Sequence, residues 1–158
     1  MTIEIRNATP ADARGILNCL RAAFEPYRER YTRDGYVDTV LTPTSLEQRL
    51  AAMTVLVAAG ESGQVVGTIA CAAAGPGEGH IRGMAVLPEW QGTGVAQRLL
   101  ESAIGELEAR GCTRVTLDTT EPLERAVRFY RRNGFQPSGV VRDFFGMPLF
   151  EYVRHPKN

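Results

Sequence analysis

His80-Ile-Arg-Gly-Met-Ala-Val-Leu-Pro-Glu-Trp-Gln-Gly-Thr-Gly-Val-Ala-Gln-Arg-Leu-Leu100 decides the fold. An apolar strand, His80 to Val86, runs into a loop with glycines at 92 and 94, and a long helix begins directly after it. Val95, Leu99, Leu100, Ala103, Ile104 and Leu107 recur at three-four spacing, which puts them on one helix face, and Gly111 ends the run. Glycines let backbone N–H groups turn toward a ligand, and the helix start adds the positive end of its dipole. Together these suit an anion such as phosphate. Gly-x-Gly by itself fits a tight strand-to-helix turn equally well. A dinucleotide fingerprint needs a third glycine where Gln97 stands, and a P-loop needs a Gly-Lys-Ser/Thr that is absent.

Upstream, Ile3 and Ile5 alternate with polar residues over 2–7, a half-buried strand. Thr9-Pro10 opens a helix carrying Ile16, Leu17, Leu20 and Ala23. The mixed aromatic and charged stretch 24–35 reads as a short helix and loop. Thr44-Ser45-Leu46-Glu47 reads as a capping box for a helix ending near Met53. Strands over 54–59 and 65–73 flank Gly60-Glu61-Ser62-Gly63, a hairpin signal. Downstream come a β-branched strand over 114–118, a helix over 123–133 stopped by Gly134, and strands over 135–141 and 149–154. The order β-α-α-α-β-β-β-α-β-α-β-β implies a mixed sheet with helices on its faces, an α/β (α+β) fold.

The 158 residues suit a single domain spanning 1–158. Eighteen basic residues balance eighteen acidic ones, so the chain as a whole lacks the basic excess that nucleic acid demands. The longest apolar run, 69–74, is far short of the ~20 residues of a membrane span, and the N-terminus lacks a signal-peptide core. Cys19, Cys71 and Cys112 form neither a disulfide framework nor a metal pair. The expectation is a soluble, cytoplasmic protein with no metal, no nucleic-acid partner and no membrane partner; a homodimer is left open.

Gln91-Gly-Thr-Gly-Val-Ala96 matches the pattern Q/R-x-x-G-x-G/A and resembles the coenzyme A pyrophosphate loop of the GNAT N-acetyltransferase superfamily. Ala126-Val-Arg-Phe129-Tyr130-Arg-Arg-Asn-Gly134-Phe135 resembles that family's A-x-x-F-Y-x-x-x-G-F signature, and Met84 to Trp90 resembles its fourth strand and exit. The resemblance implies a mostly antiparallel sheet of about seven strands that splays between the fourth and fifth. It implies acetyl-CoA as co-substrate, with Met84, Ala85 and Val86 along the pantetheine arm. Gln91, Gly92, Thr93, Gly94, Val95 and Ala96 would wrap the pyrophosphate. Arg98, Arg131 or Arg132 would reach the 3′-phosphate, a solvated helix face being the alternative for each. Tyr130 matches the tyrosine that protonates the departing thiolate. Leu123 stands where many relatives carry a cofactor-contacting asparagine.

An amine nucleophile is largely protonated at neutral pH, so a base is wanted. His80 and Glu78, at the start of the fourth strand, are the candidates, followed by Glu25 or a water chain. Alternation would aim His80, Arg82 and Met84 at one face, and a histidine merely bonded at a strand edge is the alternative. The expected reaction is acetyl transfer to a primary amine, of a small molecule or a peptide, by direct attack in a ternary complex. None of the cysteines falls at a position that the motif makes catalytic. A non-catalytic acyl-CoA-binding sensor is the alternative. The segment 24–36, rich in tyrosine and carboxylates, is expected to border the acceptor.

Overall fold

The computed structural model describes residues 2–120 and 123–155. Seven strands form one sheet: β1 Glu4–Asn7, β2 Thr54–Ala59, β3 Val65–Ala73, β4 Glu78–Val86, β5 Arg114–Thr120, β6 Gln136–Phe144 and β7 Met147–Arg154, in the spatial order β1-β2-β3-β4-β5-β7-β6. Five helices flank it: α1 Ala13–Phe24, α2 Arg33–Val40, α3 Pro43–Ala52, α4 Val95–Ala109 and α5 Glu124–Arg132. Every neighbouring pair of strands is antiparallel except β4 and β5. The expected order of elements and the mixed sheet are both present.

Strand alternation explains the two cores. Leu56 and Ala58 of β2 pack on the side of α4 with Leu99, Leu100 and Leu107, whereas Val55 and Val57 face Ile16, Leu20 and Leu46 of α1 and α3. A strand buried on both faces reads as a continuous apolar run rather than an alternating one, and β2 and β3 do.

Three local expectations are corrected. The cap of α3 is Thr42, not Thr44: Thr42 Oγ1 accepts from Ser45 N at 3.1 Å and Ser45 Oγ accepts from Thr42 N at 2.8 Å. Pro43, with its fixed φ, takes the first helical position and sets the cap one residue before it. The stretch after Phe24 is a 3-10 segment, Glu25–Arg30, and α2 then runs Arg33–Val40 with Thr32 as its cap. Its sequence hid it, because only Gly35 and Val40 are buried and no apolar stripe marks the helix. The last two strands are longer than expected, because the chain turns at Phe145-Gly146, with φ of 51° and 87°. Two positive φ values define the tight hairpin turn, and a phenylalanine in that place conceals it.

The strand β4 holds the feature that shapes the site. Its first part pairs with β3 on one side and with β5 on the other, through Glu78↔Arg114, His80↔Thr116 and Ile81↔Leu117. Beyond Ile81 the pairing with β5 ends while both strands continue, which is the expected splay. The β3 register also slips here, from Ala70↔Arg82 to Thr68↔Ala85, so β4 inserts one extra residue. Gly83 sits in that bulge with φ of 65°. A glycine interrupting a strand pattern is the signal in the sequence that marks such a bulge.

Candidate active site

Two cavities meet over the open half of β4. The larger, of about 480 Å³, is bounded by the exposed edge from Met84 to Val86, the loop at Gln91, Gly92 and Gly94, and one face of α5. The smaller, of about 250 Å³, lies on the other side, over His80, Arg82 and Asp118. Phe24, Met84, Leu123 and Tyr130 border both.

The larger cavity is built mainly from backbone. After Ile81 the edge of β4 that would face β5 has no strand partner, so its amides are free to pair with an extended, amide-bearing chain. Gly92 and Gly94 have φ of 78° and 92°, in the left-handed region where a side chain is strained, and Gly94 caps α4. The N–H groups at the start of a helix lack intrahelical partners, and α4 presents them with the positive end of its dipole. Arg125, Arg128 and Arg132 line the α5 side. An open strand edge continued by an anion-binding turn and three guanidiniums fits a ligand that carries both amides and phosphates, as coenzyme A does.

The expected cofactor residues divide here. Met84, Ala85, Val86, Gln91, Gly92, Gly94 and Ala96 line the larger cavity. Gln91 also ties the loop down, donating from Nε2 to Val86 O at 3.1 Å and accepting from Arg125 Nη1 at 3.3 Å. Thr93 turns back to bond Trp90 O, and the Val95 side chain is in the core, so neither side chain lines the cavity. Arg98 lies apart from the others: it borders a shallow surface beside Ile3, Glu4 and Ser102, because it projects from α4 toward β1 rather than toward α5. Arg131 is likewise off the lining, whereas Arg125 and Arg128, which the motif did not single out, are on it.

Tyr130 stands between the cavities, 9% exposed, with the rings of Phe129 and Phe135 at 5.7 and 6.1 Å. Burial pushes its phenol up to about 12, so it carries its proton throughout the neutral range. His80 lines the smaller cavity; Nδ1 lies 2.8 Å from Thr116 Oγ1, and Nε2 faces Asp118 Oδ2 at 3.6 Å. Burial lowers the imidazole, against the opposing pull of the Asp118 charge, and burial raises the Asp118 carboxyl. At neutral pH the lowered imidazole is neutral. Asp118 was not anticipated; only the parallel register, which sets Thr116 beside His80, brings it there. Glu78, the other candidate base, pairs with Arg114 Nη1 at 2.9 Å and lines neither cavity. Glu78 is the first residue of β4, two positions before His80, and the pair with Arg114 holds it at that end of the strand. Glu25 accepts from the Tyr36 hydroxyl at 3.2 Å, also off both linings.

The cysteines are buried thiols. Cys19 donates to Ala85 O at 3.7 Å, and burial holds it up to about 12 and Cys71 up to about 11. Among the described residues no helix is long and apolar enough to cross a membrane.

A sheet splayed after its fourth strand, with a glycine turn feeding a helix, is the architecture of the GNAT acetyltransferases. The chain belongs to that family: residues 16–135 match its model, described as Acetyltransferase (GNAT) family. Over 80 residues the chain is 29% identical to N-alpha-acetyltransferase 30 of Schizosaccharomyces pombe, which covers 49% of this chain and 53% of that protein. The chain thus spans about half the length of this curated relative. Solved structures share the fold end to end. A GNAT-family acetyltransferase from Staphylococcus aureus superposes with a TM-score of 0.80 at 18% identity, covering 99% of this chain and 100% of that one. The PaiA N-acetyltransferase of Thermoplasma acidophilum, solved in complex with coenzyme A, gives 0.81 at 18%, covering 98% and 99%. The ribosomal-protein-S18-alanine N-acetyltransferase of Escherichia coli gives 0.77 at 16%, covering 99% and 96%.

Proposed function

We propose that the protein transfers an acetyl group from acetyl-CoA to a primary amine, with both substrates bound at once. The observation that carries this reading is the shared wall of Met84 and Tyr130: the two cavities meet at a neutral phenol and an unpaired strand edge. Bound acetyl-CoA would supply an activated acyl group. The edge from Met84 to Val86 holds and orients it through main-chain hydrogen bonds. The N–H groups of the Gly92–Ala96 turn and Arg125, Arg128 and Arg132 neutralise its phosphates.

His80 accepts the proton of the attacking amine at Nε2, where the Asp118 carboxylate offsets the charge that forms. Tyr130 gives its Oη proton to the departing sulfur, which its raised pKa keeps available at any assay pH. Phe24 and Leu123 close the junction on both sides and keep bulk water from the reacting groups. The acceptor is an amine of a small molecule or a peptide; the relatives named above as N-alpha- and S18-alanine acetyltransferases lend support to the peptide class.

The test is release of free thiol from acetyl-CoA across a panel of amines, by wild type and by Tyr130→Phe on matched preparations. Turnover that depends on Tyr130 supports the assignment. Tight coenzyme A binding without turnover of any amine replaces it with a non-catalytic acyl-CoA-binding role.

A further inference from the structure

The smaller cavity has two poles, and one of them has no role in the chemistry described so far. Arg49 comes from the last turns of α3 and reaches the floor of the cavity at the β4 bulge, where its guanidinium occupies the place a side chain on Gly83 would take. It is half-buried, and among the described residues its guanidinium makes no ion pair and no hydrogen bond; the Asp38 charge acts on it only from longer range. Its neighbours deepen the imbalance. Arg82 lines the same cavity and shares a single carboxylate, Asp38, at 3.5 Å. A guanidinium removed from water without an anion is costly, so this pole calls for one.

The opposite pole is anionic. Asp118 lines the cavity beside His80; its Oδ1 is a buried atom without a hydrogen-bond partner among the described residues, and the Arg142 guanidinium, off the cavity lining, stands 3.6 Å from it. His80 and Arg82 stand two residues apart on one strand face, about 7 Å along β4, which is close to the reach of one small molecule offering an amine to one and an acid to the other. The walls between the poles are apolar: Phe24, Tyr31, Phe144 and Leu149. The volume of about 250 Å³ suits a molecule the size of an amino acid.

We propose that the acceptor is a zwitterion with an apolar body, an amine that carries a carboxylate on the same small molecule, with the amine at His80 and Asp118 and the carboxylate on Arg49. This rests on the acetyltransferase reading above and narrows it from amines in general. It also sets a limit, since in a long peptide the C-terminal carboxylate lies beyond the reach of the cavity. Arg49 is then a specificity residue. It touches the acceptor's acid group and takes no part in proton transfer.

The experiment titrates three matched probes into the protein saturated with coenzyme A, by calorimetry: phenylalanine, phenylalaninamide and phenethylamine. They share a ring and an amine and differ in the acid group. Phenylalanine is expected to bind at least about ten-fold tighter than the other two, as one charge-assisted contact provides. In Arg49→Gln that preference collapses toward equality. Equal binding of the three probes by wild type, no binding of any, or a preference that survives in Arg49→Gln each overturns the proposal, and the wild-type comparison stands even where the variant does not fold. Failure of coenzyme A itself to bind overturns the reading underneath. The three probes titrated into the protein without coenzyme A then decide the zwitterion site by itself.

Discussion

The two cavities that meet at Tyr130 are made of different material. The larger is walled by an open strand edge, two glycines with positive φ and a helix start, all within one continuous stretch of chain, with one side closed by α5. The smaller is assembled from side chains of α1, α2, α3, β4, β5, α5, β6 and β7, brought together only by the completed sheet. A backbone site tolerates almost any sequence that keeps its glycines and its turn. A side-chain site changes whenever one contributor does. The first kind is suited to a constant ligand and the second to a variable one, and the division of labour in this chain follows that line.

The change expected to do most is at the backbone site. Gly94→Glu adds a strained side chain at φ of 92° and a negative charge where α4 presents its N–H groups. Coenzyme A binding, expected in the micromolar range at about −8 kcal/mol, should fall below detection by calorimetry. Gly94→Ala carries the same backbone strain without the charge and should lose far less. Equal affinities for wild type and Gly94→Glu would remove the loop from the cofactor site.

Tyr130 belongs to both cavities, and its variant sharpens the boundary between them. A general acid contributes about 10²–10⁴-fold, so Tyr130→Phe should lower kcat by that factor once an acceptor is in hand. The ring contacts with Phe129 and Phe135 remain, so coenzyme A affinity and Tm should change little. A kcat within about threefold of wild type, under conditions where chemistry limits the rate, takes Tyr130 out of the mechanism.

The same division explains what could be read beforehand. The element order, the helix over 95–107 and the glycine turn follow from periodicity and from contiguous motifs, and the splay is what the resemblance carried by those motifs implies. The acceptor side does not announce itself. Asp38 sits on a helix without an apolar stripe, Arg49 looks like any solvated arginine on α3, and Asp118 closes a β-branched run. Each gains its role from a neighbour far away in sequence. Even within the motif region, Arg98 and Arg132 are both arginines on helices, and only the packing of α4 and α5 sends one away from the cavity and the other into it.

His80 tests the side-chain cavity with a smaller effect. Burial lowers its pKa from the ordinary value of about 6.5, with the Asp118 and Glu151 carboxylates opposing and Arg82 and Arg142 adding to the lowering. The imidazole is therefore the proton acceptor at neutral pH, and kcat/KM should fall on the acid side of about 6.5 as it charges. In His80→Gln that acidic limb should vanish and the neutral-pH rate drop by about 10²-fold, while Glu78→Gln keeps the limb. An unmoved limb in His80→Gln would pass the role to Asp118 or to water.

The smallest expected effect on transfer is none, and Asp12 supplies it. Its carboxylate, 6% exposed, accepts from Arg6 Nη1 and Nη2 at 2.7 and 3.0 Å and from Thr9 N at 2.8 Å, pinning the start of α1 to β1. Arg6 holds it down at about 2, below the ordinary carboxylate range. A carboxylate with a lowered folded pKa adds stability that is complete above its unfolded value of about 3.9 and is lost as pH falls through the folded one. A gap of nearly two units corresponds to about 2.5 kcal/mol. Asp12→Asn should therefore lower the unfolding free energy by about that much at pH 7, read from urea midpoints, with kcat/KM unchanged because neither cavity includes it. The deficit should shrink between pH 4 and pH 2, where wild type loses the same charge. A deficit that stays constant down to pH 2 would mean that Asp12 acts through the shape of the turn at Thr9 rather than through its charge.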